Sequence, residues 1–259
     1  MGASDDAVAP TVVELPLEVH DFLSWLVSER GRSRNTVAAY RRDLTGYVGW
    51  LGQRQRSVLD VAEADIAEFV AARQASGAAA SSIARQLAAV RTFHRFLVAE
   101  RQRPDDPTAE VEGVKVPAGL PKPLTEAEVE RLIDAVTGND AAARRDRALL
   151  ELLYATGARI SEAVGLSIGD LDLDAGLVRL FGKGSKERIV PFGRGAAAAL
   201  EDWFDPSGRM QLIPMRWRRR DDAEAVFLNR RGGRLSRQAA WSVVVEHARR
   251  AGLDERVSP

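Results

Sequence analysis

The chain has 259 residues, 45% of them apolar, with 37 basic and 37 acidic side chains and a net charge of zero. That length holds one large domain or two small ones; the absence of cysteine excludes disulfides, a thiol nucleophile and thiolate metal sites, and three separated histidines (His20, His94, His247) make no metal cluster. No apolar run reaches the roughly 20 residues of a membrane span, and the acidic start MGASDDAVAP is no signal peptide, so a cytoplasmic protein without membrane contacts is expected.

Residues 1–17 read as a flexible leader. From Glu18 the pattern turns helical, with Val19, Phe22, Leu23, Leu26 and Val27 on one face and Gly31 as the stop. A second helix, about 36–51, turns Val37, Tyr40, Leu44, Val48 and Leu51 inward and carries Arg41 and Arg42; Arg32 and Arg34 precede it. Asp60 with Glu63 spells a capping box for a third helix burying Ile66, Phe69 and Val70. A fourth, from about Ser81, buries Ile83, Leu87, Val90 and Leu97 and exposes Arg85, Gln86, Arg91 and Arg95. Four helices with short connections over 18–102 form an independent bundle. Residues 103–123 hold five prolines and two glycines and read as an extended linker.

A second domain, 124–259, opens on a capping box of Thr125 and Glu128. Its next helix, about 142–156, is apolar at Ala148, Leu149, Leu152 and Leu153 and is expected to be central, with Gly157 as its positive-φ C-cap. Ser161 is expected to cap a short helix ending near Gly165. Then come strand-like runs within 171–192, a hairpin with Lys183 at its tip, and a helix over about 195–203. Residues 205–225 are irregular, with the basic run RWRRR at 216–220 read as a surface loop. Phe227 and Leu228 suggest a short strand, Gly232–Gly233 a turn, and Ser236 the start of a last helix bearing Trp241, Val244, Val245 and Ala248.

Arg159, after a glycine and between two helices, has the geometry to clamp two phosphate oxygens. Glu162 can orient it or merely pair with it. Lys183 on a hairpin tip can reach a phosphate or give a proton to a leaving oxygen, and Lys186 and Arg188 can grip neighbouring phosphates, contacts that position a duplex without reading its bases. The plainer reading, a junction salt bridge and an ordinary turn, fits generic chemistry equally well. GKGSK lacks the upstream glycines and following helix of a phosphate-binding P-loop.

The strings LYATGARISEAVGL and GKGSKERIVPFG, with ERGRSRNTVAAYRRDL and NRRGGRLSRQAAW, resemble the tyrosine recombinases, and among them the bacterial Xer site-specific recombinases, in flavour the XerD-type more than phage integrases. The resemblance spans nearly the whole chain. It implies a mainly α protein of two domains: an N-terminal four-helix core-binding (SAM-like) bundle and a mostly helical α+β catalytic domain with a small antiparallel sheet. It also implies DNA strand cleavage and rejoining through a 3′-phosphotyrosyl intermediate, with neither metal nor ATP as cofactor. By motif position Arg159 is the first catalytic arginine, Lys183 the proton donor to the leaving 5′ oxygen and Glu162 the acidic partner. Arg32, Arg34, Arg41, Arg42, Arg85, Arg91, Arg95, Lys186, Arg188 and Arg237 are the candidate phosphate contacts.

The resemblance further implies double-stranded DNA at a specific site as partner, a second Xer-type recombinase in a heterotetramer and control by a septal DNA translocase, in chromosome dimer resolution. In relatives Val-Ser-Pro is followed by His-x-x-Arg, a His or Trp and the tyrosine nucleophile; here the sequence ends at Pro259. Tyr40, Tyr47 and Tyr154 read as packing residues, so a truncated, cleavage-inactive chain is expected. A non-catalytic DNA-binding accessory protein and a mobile-element integrase are the alternatives.

Overall fold

The computed structural model describes residues 13–117, 123–182, 184, 186–253 and 257, and divides into two compact units, Met1–Gly119 and Leu120–Pro259. Of the expected leader, residues 1–12 lie outside the described residues.

The first unit is a bundle of α1 (Leu17–Ser28), α2 (Arg34–Gly52), α3 (Glu63–Ala75) and α4 (Ala80–Ala99). Helix α4 packs on the other three, because its inward stripe of Leu87, Val90, Phe93 and Leu97 is bulky and continuous. Phe22 of α1 meets Phe93 edge-on at 5.5 Å, and Tyr47 of α2 meets Phe69 of α3 at 5.2 Å. Each such aromatic contributes roughly 2–3 kcal/mol by burial. Two sequence expectations need correction. Val27 is 56% exposed, because it lies just past the stripe that Val19, Phe22, Leu23 and Leu26 complete. The cap of α3 is not Asp60 with Glu63: Ala62 is the N-cap, and its N–H donates to the Asp65 carboxylate at 2.9 Å.

The proline-rich stretch begins as a docked strap rather than a free extended linker. The buried Arg103 guanidinium donates to the carbonyls of Val58 (3.2 Å) and Val61 (2.8 Å), and Thr108 of the same stretch is also buried. Val111 and Val114 pack on the bundle core, and Arg91 donates to the Val111 carbonyl. Beneath Arg103, the Tyr47 hydroxyl and His94 Nε2 share a hydrogen bond of 2.9 Å inside the core. Burial, reinforced by the Arg103 charge, lowers the His94 pKa to about 4.

The second unit is built on α6 (Ala141–Thr156), as its apolar run predicts. Leu149 and Leu152, fully buried, face α7 (Ile160–Gly165), the sheet and α8 (Arg194–Phe204); Ala143 and Leu150 face α5 (Glu126–Asp134) and α9 (Arg237–Arg250). The Thr125–Glu128 capping box forms, and Gly157 ends α6 at φ 58°. Ser236 caps α9 as expected. The sheet has three antiparallel strands in order β1 (Leu171–Asp172), β2 (Leu177–Phe181), β3 (Glu187–Pro191), with Val178 opposite Val190 and Leu180 opposite Arg188. The fold class read from the sequence is thus borne out, a helical bundle followed by a mostly helical unit with a small antiparallel sheet. Among the described residues no helix is long and apolar enough to cross a membrane.

Candidate phosphate site

The chain leaves α6 through the left-handed Gly157 and re-enters a helix at α7, whose N-cap is Arg159. Ser161 does not cap this helix. The Arg159 N–H donates to Glu162 Oε2 at 2.9 Å, so the carboxylate three residues on supplies the acceptor. The same carboxylate receives the Arg159 side chain, Nη1 to Oε1 at 3.0 Å, and both terminal nitrogens of Arg188 on β3, at 3.0 and 2.7 Å.

Glu162 is therefore an enclosed anion between two cations. Its side chain is 3% exposed, against 72% for Arg159 and 38% for Arg188. The hydrogen bonds from Arg188, with those from the Arg159 side chain and backbone, outweigh desolvation and hold the Glu162 carboxyl down to about 2. The carboxylate is ionised at any working pH and fixes one edge of Arg159. The rest of that guanidinium, a planar fork of five N–H donors, faces solvent.

Lys183 lies outside the described residues. Its neighbour Gly182 closes the hairpin turn, donating to the Lys186 carbonyl at 2.7 Å. A Cβ on Gly182 would stand 3.3 Å from Glu162 Oε1, so the turn is seated on the clamp. Sequence reading missed this use of the glycine; only the Gly-Lys-Gly spelling pointed to it.

The candidate phosphate contacts separate into two groups. The side chains of Arg32, Arg34, Arg41, Arg42, Arg95, Lys186 and Arg237 are exposed and make no ion pair or hydrogen bond with other described residues. Arg85 is paired with the buried Asp43, Arg91 with the strap and Arg188 with Glu162. Those three already hold protein partners.

Of the tyrosines, Tyr47 is fully buried and Tyr40 half-buried in the first unit, whereas Tyr154 on α6 is 52% exposed and so not the packing residue the sequence suggested. The one His-x-x-Arg spelling, His247 to Arg250 on α9, does not join the clamp: His247 is buried against Asp146 (3.3 Å) and Arg250 pairs with Glu246. Asp146 also receives the buried Arg145, whose Nη1 bonds the Leu228 carbonyl. On α9, Val244 is buried and Val245 is 37% exposed.

Comparison with known proteins agrees with this architecture. The model of the phage integrase family matches residues 122–259, and that of the phage integrase N-terminal SAM-like domain matches 19–101. The chain is 42% identical over 243 residues to tyrosine recombinase XerD of Chlorobaculum tepidum, covering 92% of this chain and 77% of the relative. It is 44% identical over 259 residues to tyrosine recombinase XerD of Mycobacterium tuberculosis, covering 95% and 81%. Among solved structures, a lambda integrase tetramer bound to a Holliday junction superposes with TM-score 0.67 at 16% identity, over 91% of this chain and 66% of that one. The XerH site-specific recombinase bound to its palindromic difH substrate gives 0.67 at 20% identity, over 91% and 67%. Those two likenesses show the fold, and the sequence matches go further: this chain belongs to the phage integrase family of tyrosine recombinases and is closely related to its XerD-type members.

Proposed function

We propose that the chain is the DNA-binding and phosphate-handling body of a site-specific recombinase that cuts and rejoins strands through a 3′-phosphotyrosyl link. The observation that carries this reading is the exposed Arg159 guanidinium, anchored by one edge on the enclosed Glu162 carboxylate. As a tyrosine oxygen attacks, negative charge grows on the non-bridging oxygens of the phosphate. A guanidinium already oriented by a buried anion stabilises that charge with little reorganisation. Glu162 orients Arg159, and Arg188 holds Glu162. Lys183, adjoining the turn glycine on the clamp, gives the proton to the leaving 5′ oxygen.

In this reading residues 18–102 are a core-binding domain and 124–259 a catalytic domain, joined through 103–123, and the two grip a duplex through Arg32, Arg34, Arg41, Arg42, Arg95, Lys186 and Arg237. The partners are double-stranded DNA and a second Xer-type recombinase assembled on it, with a septal DNA translocase as regulator and chromosome dimer resolution as the role.

Selection from a random duplex pool tests it. The chain should enrich a defined site; Arg41→Ala with Arg42→Ala should weaken binding strongly, and Arg159→Ala only slightly. No enriched site, or equal losses in both variants, overturns the division of roles. On nicked duplexes this chain should form no covalent adduct, because Tyr47 and Tyr40 pack within the bundle. An adduct abolished by Tyr154→Phe would instead place the nucleophile on α6.

A further inference from the structure

Helix α7 has six residues, about 9 Å of helix. So short a helix has too few internal hydrogen bonds to hold itself, and its attachments set its direction. At its start the attachment is Glu162 to Arg188. Its middle and end are buried at Ala163, Val164 and Leu166, the Leu166 carbonyl accepts from the Val226 N–H at 3.0 Å, and Arg234, from a different part of the chain, grips its last carbonyls. Arg234 Nη1 donates to the carbonyls of Val164 (3.2 Å), Gly165 (2.8 Å) and Leu166 (2.7 Å), and Nη2 to Ser167 Oγ (3.2 Å) and the Asp221 carbonyl (3.4 Å). A cation among the last carbonyls also complements the negative end of the helix dipole.

Arg234 is itself held. Its N–H donates to the buried Asp222 carboxylate at 3.0 Å, and its carbonyl accepts from Asn229 Nδ2 at 3.2 Å. We infer that Arg234 is a positioning residue for Arg159: by gripping the last carbonyls of α7 it fixes the helix whose N-cap presents the phosphate-binding guanidinium. This rests on the proposed phosphate role of Arg159. A tilt of about 10° at the gripped end moves the far end of a helix of this length by about 1.5 Å, enough to spoil a phosphate contact. Lysine keeps the charge but, lacking the planar fork, cannot span this set of acceptors.

The test uses the 259-residue chain, with inorganic phosphate as probe and the Nε–Hε resonance of Arg159 as reporter. Wild type should bind phosphate at Arg159, and Arg234→Lys should weaken that binding about three- to tenfold. Arg103→Lys is the control. Arg103 is buried in the first unit, bonding the carbonyls of Val58 and Val61, so that variant should lower stability and leave phosphate affinity unchanged. Should Arg234→Lys fail to fold, Ser167→Ala removes a single acceptor and should weaken phosphate about twofold. Wild-type affinity in the folded Arg234→Lys or in Ser167→Ala overturns the positioning role alone. Absence of any phosphate response at Arg159 in wild type overturns the phosphate reading itself, and this inference with it.

Discussion

Arg188 grips Glu162 through two parallel hydrogen bonds, from a strand to a helix, and the carboxylate it holds is removed from solvent. The pair links the sheet to α7 and gives one edge of Arg159 its anchor.

Glu162→Gln keeps the shape and removes the charge. It should cost about 1–3 kcal/mol of stability, since an amide oxygen accepts less strongly than a carboxylate and its NH₂ faces a guanidinium. Arg188→Lys should cost less, because the partly exposed lysine can still reach one oxygen. Urea denaturation of both variants orders them; a larger loss for Arg188→Lys would contradict the geometry.

Gly182→Ala and Gly184→Ala separate crowding from backbone strain. A Cβ at Gly182 meets Glu162 Oε1 at 3.3 Å, whereas Gly184 has open space but φ 77°. Each substitution should cost about 1 kcal/mol. Only Gly182→Ala should shift the side-chain NMR signals of Arg159 and Arg188.

Acid should unfold the first unit in a defined window. Its buried His94 titrates at about 4, against 6.5 for an unperturbed histidine. The folded protein binds that proton more weakly than the unfolded chain does. The His94 contribution is therefore intact above pH 6.5, falls as pH drops towards 4 and is lost below it, on the order of 3 kcal/mol in all. Glu162 follows the same sign in a lower window, from 4.5 down to about 2. Stability measured across pH for wild type and His94→Leu should differ in slope between 6.5 and 4; parallel curves would refute the assignment.

Arg103→Ala removes the anchor of the strap and leaves the carbonyls of Val58 and Val61 without this partner. A loss of about 2–3 kcal/mol is expected, with faster proteolysis between residues 104 and 117. Because the Arg103 charge helps to depress His94, the variant should also raise the His94 pKa, readable by NMR titration.

The helices were legible in the sequence where one apolar stripe repeats without interruption, as in α4 and α6. Caps were legible at Thr125 and Ser236, but Ser33 and Asp140, whose side chains cap α2 and α6, were passed over, Ser161 was misread, and the carboxylates serving Ala62 and Arg159 from three residues on were not read. The strap was hidden because proline content announces the loss of helix but not the docking that Arg103 and Val111 provide. Within the site, Arg159 with Glu162 could be read from their spacing, but the grips of Arg188 and Arg234 could not. Arg188 reaches a partner 26 residues away, and Arg234 reaches the end of α7 and Ser167 across 67–70 residues. No local pattern encodes such a contact.

Arg85 and Arg91 carry one further consequence. A guanidinium already neutralised by Asp43 displaces few condensed counterions from a polyanion, whereas Arg91, bonded to a neutral carbonyl of the strap, keeps its charge. The ionic-strength dependence of duplex affinity rises by roughly 0.9 in logarithmic slope per phosphate neutralised. The first unit's share of that slope should therefore track Arg32, Arg34, Arg41, Arg42, Arg91 and Arg95, and be insensitive to removal of Arg85.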